Sequence, residues 1–125
     1  MKSCLIVEDS AVIRKVAKRI LSGVPYAITE AETGNDALAK MRGGMPDVIM
    51  LDYALPDMTA IEFIETVKRR SPAKMPTILL CTSQFDIVRI MKAKRAGAAG
   101  YIMKPFTRET LLTSFQNQVV ETVAA

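Results

Sequence analysis

The sequence predicts an α/β fold, a doubly wound parallel sheet of five strands with five helices distributed on both faces. Three observations lead there. Short apolar runs alternate five times with amphipathic stretches. Four of the runs (CLIV, VIML, TILLC and YIM) are almost continuously apolar, as strands covered on both faces are. The connections are short, so parallel strands must be joined by right-handed helical crossovers.

Strands are expected at 3–7, 26–32, 47–51, 77–82 and 100–103. The second, YAITEAE, alternates apolar and polar residues and suits an edge exposed on one side. In the first helix Val12, Ile13, Val16, Ala17, Ile20 and Leu21 recur at three- and four-residue spacing, and Gly23 and Pro25 stop it. Thr33 with Asp36 opens the second helix, and Gly43-Gly44 closes it. Thr59 with Glu62 reads as a capping box for the third, which ends at Ser71-Pro72. The fourth is expected from about Gln84 to Ala96, ending at Gly97, and the fifth from about Thr107 to Val123. Five complete units with a polar edge favour an open, flavodoxin-like sheet over a fragment of a larger barrel. The order 2-1-3-4-5 is adopted from open sheets of that kind rather than read from the residues.

At 125 residues the chain has the size of one domain, and a chain this long buries about two-thirds of its unfolded surface without a disulfide or metal staple. No linker, repeat or low-complexity segment appears, so one domain over 1–125 with no output domain is expected. Cys4 and Cys81 sit inside apolar runs and read as buried free thiols. The N-terminus lacks the apolar length of a signal peptide, and no run approaches the ~20 residues of a membrane span. A cytoplasmic protein with no membrane contact is expected. The net charge is +4 with no histidine, which excludes histidine metal ligands and histidine bases. The basic residues are dispersed and not interleaved with aromatics, so direct nucleic-acid binding is not expected.

The chemistry gathers at the C-terminal ends of the strands, where open α/β sheets bind ligands. The first strand ends in Glu8-Asp9, the third in Asp52, the fourth in Thr82-Ser83 and the fifth in Lys104-Pro105. Crowded carboxylates repel unless a cation intervenes, and Mg²⁺ commonly binds one or two carboxylates together with phosphate oxygens. Lys104 adds a compact positive charge suited to a phosphoryl oxygen, and Thr82 adds a hydroxyl. A nucleophilic carboxylate with these neighbours suits aspartyl-phosphate chemistry. Taken singly each residue has an ordinary reading: Glu8 or Asp9 as a helix cap, Asp52 as a loop acid, Lys104 as a solvated charge. Their joint occurrence at four sheet ends is what is specific.

These same segments, LIVEDS, DVIMLDYALPDM, TILLCTS and GAAGYIMKPF, resemble the receiver domain of two-component response regulators in its CheY-like form, over essentially the whole chain. The resemblance implies a bacterial-type signalling switch rather than an enzyme. Asp52 would accept a phosphoryl group from a sensor histidine kinase, a histidine phosphotransfer protein or a small acyl phosphate. Glu8, Asp9, Asp52 and the Ala54 backbone carbonyl would hold Mg²⁺ or Mn²⁺. Lys104 and Thr82 would contact the phosphoryl group, Tyr101 would change rotamer with Thr82, and the Lys104-Pro105 peptide would be cis. The signal would leave through the surface of the fourth helix, fifth strand and fifth helix to a downstream protein target. Phosphorylation-independent docking is the alternative.

Four departures from the commonest pattern carry expectations. Glu8 stands where Asp is frequent. Thr59-Ala60 replaces a pair that usually ends in Gly, so the turn before the third helix is expected to differ. Ala54 and Gln84 offer no acid to orient water, which predicts slow self-dephosphorylation. Ala54 also argues against a dehalogenase-type phosphatase, which needs a second acid there, and EDSAVIRK lacks the phosphate loop of a flavodoxin. The fourth helix, with Phe85, Val88 and Met91 among Arg89, Lys92, Lys94 and Arg95, is a candidate basic docking face for an acidic partner. The first, with Arg14, Lys15, Lys18 and Arg19, is a candidate kinase- or phosphotransfer-docking face.

Overall fold

The computed structural model describes residues 2–124, with side chains described through residue 116. Its elements run β1 (Lys2–Val7), α1 (Ala11–Leu21), β2 (Tyr26–Ala31), α2 (Gly34–Lys40), a 3₁₀ turn (Met41–Gly43), β3 (Val48–Asp52), α3 (Ala60–Arg70), β4 (Thr77–Thr82), α4 (Ile87–Ala96), β5 (Gly100–Met103) and α5 (Arg108–Ala124). All strand pairs are parallel, in the order β2-β1-β3-β4-β5. The polar second strand is an edge, as its alternation predicts.

Because side chains alternate across a strand, one sheet feeds two cores. Leu5, Val7, Ile49, Leu51, Ile78 and Leu80 face α2, α3 and α4, and meet Phe63, Ile64 and Val67. Cys4, Ile6, Val48, Met50, Leu79 and Cys81 face α1 and α5, and meet Ala17, Leu21, Leu111 and Phe115. The nearly continuous apolar strands are explained by this double burial. Both cysteines are free and buried, and burial pushes the Cys4 thiol up to about 12 and the Cys81 thiol higher still, so neither is a reactive thiolate at neutral pH.

Several boundaries differ from expectation for local reasons. β3 begins at Val48 and includes Asp52, not 47–51: the Asp47 carboxylate accepts from the Ser3 amide at 2.8 Å, while Asp52 pairs in register with Cys81. α4 begins at Ile87 rather than Gln84, because Asp86 caps it by accepting from the Val88 and Arg89 amides. Gln84 is drawn instead into a turn with Thr82. Of the expected capping box only half forms as drawn. The Thr59 hydroxyl accepts from the Glu62 amide at 3.0 Å, and it donates to Glu62 Oε1 at 3.1 Å, a carboxylate oxygen expected on the Thr59 amide. Ala60 enters α3 as its first residue without strain, since no described non-glycine residue has positive φ. Gly97 does require its freedom: at φ +134 it ends α4, and a Cβ there would meet Met75 Cε at 2.7 Å.

Phe63 is completely buried between α3 and the sheet, whereas Val12 is 72% exposed on α1. Phe63→Ala is expected to lower stability by roughly 3–5 kcal/mol, and Val12→Ala by no more than about 0.5 kcal/mol. Urea denaturation of the two variants measures both.

Candidate functional site

Strand register assembles the site. Val7 lies beside Leu51, Asp52 beside Cys81, and Thr82 beside Met103, so the residues ending β1, β3, β4 and β5 meet along one sheet edge. Backbone bonds extend this past the strands: the Glu8 amide donates to the Ala31 carbonyl, the Tyr53 amide to Cys81, and the Lys104 amide to Thr82. A cleft of about 300 Å³ opens there, lined by Asp52, Tyr53, Ala54, Thr82, Ser83, Gln84, Arg89 and Lys104.

Asp52 and Glu8 are each only 4% exposed. Lys104 reaches between them, its Nζ donating to Glu8 Oε1 at 2.9 Å and to Asp52 Oδ1 at 3.0 Å. The Ala54 amide also donates to Asp52 Oδ1 at 3.2 Å, and the Ser10 amide to Glu8 Oε2 at 3.1 Å. Asp9 remains exposed. The helix-cap reading of Glu8 or Asp9 is not what forms: Ser10 is the N-cap of α1, its hydroxyl accepting from the Ile13 amide. Carboxylate oxygens of Glu8, Asp9 and Asp52 lie within 4.8 Å of one another. One ammonium among three carboxylates leaves excess negative charge, and the donors are hard oxygens, so the group fits a divalent cation such as Mg²⁺.

Burial works against the Lys104 charge, but its bonds to Glu8 and Asp52 outweigh that and hold its pKa above the ordinary 10.5. Thr82 is buried, and its hydroxyl bonds the Gln84 loop backbone, donating to the Gln84 carbonyl at 3.1 Å and accepting from the Gln84 amide at 3.3 Å. Tyr101 points outward, edge-on to Phe85 with ring centroids 6.0 Å apart. Ala54 lines the cleft, and the Lys104-Pro105 peptide is cis.

A family model described as the response regulator receiver domain matches residues 4–116. The chain belongs to the response regulator receiver family. It is 32% identical over 108 residues to chemotaxis protein CheY of Pseudomonas aeruginosa, covering 86% of this chain and 87% of that one. Among solved structures, the chemotaxis response regulator CheY4 of Vibrio cholerae superposes with a TM-score of 0.87 at 36% identity, covering 94% and 98% of the two chains. A CheY-like receiver domain protein of Methanospirillum hungatei gives 0.86 at 29% identity, covering 97% and 95%. The receiver is thus of the CheY type, in line with two-component signalling.

Sequence reasoning missed three contributors to this receiver's site. Arg14, expected on a docking face, turns inward instead: it donates to the Glu8 carbonyl at 2.6 Å and pairs with Glu30 and Glu32 at 3.4 Å each. Lys18 also pairs with Glu30 while staying exposed, so the exposed part of α1 presents Val12 and Val16 beside Lys15, Lys18 and Arg19. Asp57 joins the loop after β3 to α2 by accepting from the Gly34 and Asn35 amides at 2.9 and 2.8 Å. Desolvation is the largest single influence and opposes its charge, but the Asn35 and Gly34 amides together with its own backbone amide outweigh it and hold its carboxyl below the usual range. Arg89, expected on a basic docking face, packs over Tyr53. Periodicity shows which helical face is apolar, but not which acids wait beyond the helix.

Lys104→Met is expected to cost roughly 2–4 kcal/mol of stability at pH 7, since it strands two buried carboxylates. The pKa of Lys104 is raised on folding, so its contribution is fully present below the unfolded value and is lost as pH rises through the folded one. The stability gap between wild type and variant, from urea titrations, is therefore expected to stay level from neutral pH to about 10 and to close above that.

Proposed function

We propose that this receiver is a phosphorylation-driven switch in a two-component phosphorelay, with Asp52 as the phospho-acceptor. The observation that carries the proposal is a buried Asp52 held by Lys104, beside Glu8 and Asp9, at the mouth of a cleft shared with Thr82. Asp52 attacks phosphorus of a phosphohistidine, on a histidine kinase or phosphotransfer protein, or of a small acyl phosphate. A phosphorus–oxygen bond to Asp52 forms as the bond to the imidazole nitrogen or acyl oxygen breaks, and the leaving group takes the electron pair. Glu8, Asp9, Asp52 and the Ala54 carbonyl would hold Mg²⁺ or Mn²⁺, which would supply charge to offset the carboxylates and the phosphoryl oxygens.

The chain's own residues do the rest. Lys104 transfers one of its hydrogen bonds from a carboxylate to a phosphoryl oxygen. Thr82 exchanges its bond to the Gln84 backbone for another phosphoryl oxygen, and Tyr101 turns inward after it. The outward Tyr101 and the Gln84-bound Thr82 correspond to the unphosphorylated end of this switch. Phe85 (64% exposed) lies edge-on to Tyr101, and together with the exposed Ile87, Val88 and Met91 and the exposed Lys92, Lys94 and Arg95 it makes up the surface offered to a downstream protein. The switch itself turns over no substrate, works in the cytoplasm, and contacts neither nucleic acid nor membrane; no helix among the described residues is long and apolar enough to cross one.

Intact-mass spectrometry with a small acyl phosphate, with and without Mg²⁺, tests this. One phosphoryl adduct is expected on wild type with Mg²⁺, and none without the metal or on Asp52→Asn. A folded, Mg²⁺-binding wild type that takes up no adduct from the acyl phosphate or from any histidine kinase would turn the assignment to a docking module.

A further inference from the structure

Arg89 is the cation at the cleft that the reading of Asp52 as phospho-acceptor leaves without a task. Its neighbours on α4, Lys92, Lys94 and Arg95, are exposed, whereas Arg89 is half-buried and lines the cleft with Asp52, Thr82 and Lys104. Two contacts hold its head. The guanidinium carbon lies 4.0 Å from the ring centroid of Tyr53, the residue after Asp52. Nη1 donates a long hydrogen bond, 3.4 Å, to Oε1 of Gln84, two residues after Thr82. The base of the side chain is anchored as well, since the Asp86 carboxylate accepts from the Arg89 amide at 3.3 Å. One planar cation therefore joins the loop after β3 to the loop after β4, the two loops that flank the acceptor.

We infer that Arg89 is a positioning residue that shields the aspartyl phosphate and lengthens its lifetime. The inference rests on the reading of Asp52 as phospho-acceptor. In hydrolysis a water oxygen bonds to phosphorus while the phosphorus–oxygen bond to Asp52 breaks. The carboxylate leaves with the electron pair, and the water's proton passes to solvent or to the released inorganic phosphate. In-line attack brings that water from the side opposite Asp52, which is the open side of the cleft. A guanidinium stacked on Tyr53 narrows that approach and fixes a positive charge near the phosphoryl oxygens. It also occupies Gln84 Oε1, an amide oxygen that in its absence is free to accept a hydrogen bond from the attacking water.

The test loads the full chain with a small acyl phosphate and Mg²⁺, removes the donor, and follows loss of the phosphoryl mass. Arg89→Ala is expected to speed the loss by about threefold to tenfold. Arg89→Lys, which keeps the charge but not the planar stack and fork, is expected to restore part of the lifetime. Tyr53→Phe keeps the ring face and is expected to stay within about twofold of wild type. Gln84→Ala added to Arg89→Ala is expected to slow the loss again, a reversal that a merely structural role would not produce. Thermal melts confirm that each variant is folded, and Arg89→Gln replaces Arg89→Ala should the latter not be. A phosphorylated, folded Arg89→Ala whose decay is unchanged or slower overturns the inference while leaving Asp52 as acceptor. A wild type that never takes up a phosphoryl group overturns both.

Discussion

The ammonium of Lys104, shared between Glu8 and Asp52, is the interaction on which the rest of the sheet edge depends. Two carboxylates this deeply buried are costly unless a positive charge lies within bonding distance. Lys104 supplies it from 96 residues beyond Glu8 and 52 beyond Asp52, and its own side chain is only 16% exposed. Breaking that bridge would leave like charges facing one another across β1 and β3. Holding it intact keeps Asp52 oriented while Asp9 stays open to solvent.

The bridge exists because the fold delivers its members in register. Parallel strands all end at the same edge, and the two-sided core leaves no freedom to slip, since a one-residue shift would exchange the faces served by Leu5, Ile49 and Ile78 and by Cys4, Val48 and Leu79. The loops beyond the strands are then held by polar groups. Ser10 caps α1 just after the acid pair, Asp57 ties the loop after β3 to the start of α2, and Asp86 sets the first turn of α4. The core holds Asp52 still, while the loops around it are tied by one or two hydrogen bonds apiece, each of modest net worth, about 1 kcal/mol. A rigidly held Asp52 beside lightly tied loops is the combination that the proposed switch requires.

Charges on the helices follow the same division. Arg14 pairs with Glu30 on the edge strand and Glu32 just beyond it and braces the Glu8 backbone, and so leaves Val12 and Val16 with Lys15, Lys18 and Arg19 on the exposed surface of α1. Arg89 is drawn into the cleft, which leaves Phe85, Ile87, Val88 and Met91 as the exposed apolar part of the α4 region while Ile90 and Ala93 face inward. The two basic stretches that look alike in sequence therefore present different surfaces.

Taken by itself, the sequence determined the five alternating units, the polar edge strand, the buried thiols, the helix stops, and the acids, threonine and lysine at the strand ends. These are local properties: apolar runs, period and turn residues act over a few positions, so they are legible one segment at a time. The strand order was correct but came by likeness to other open sheets. Tertiary structure alone decided that Glu8 is buried and Asp9 exposed, that Ser10 and not an acid caps α1, that Asp86 delays α4, and that Arg14 and Arg89 turn inward. Each of those outcomes depends on a charge or hydrogen-bond partner brought close by the fold or by loop geometry, and no periodicity in one segment encodes where that partner will stand.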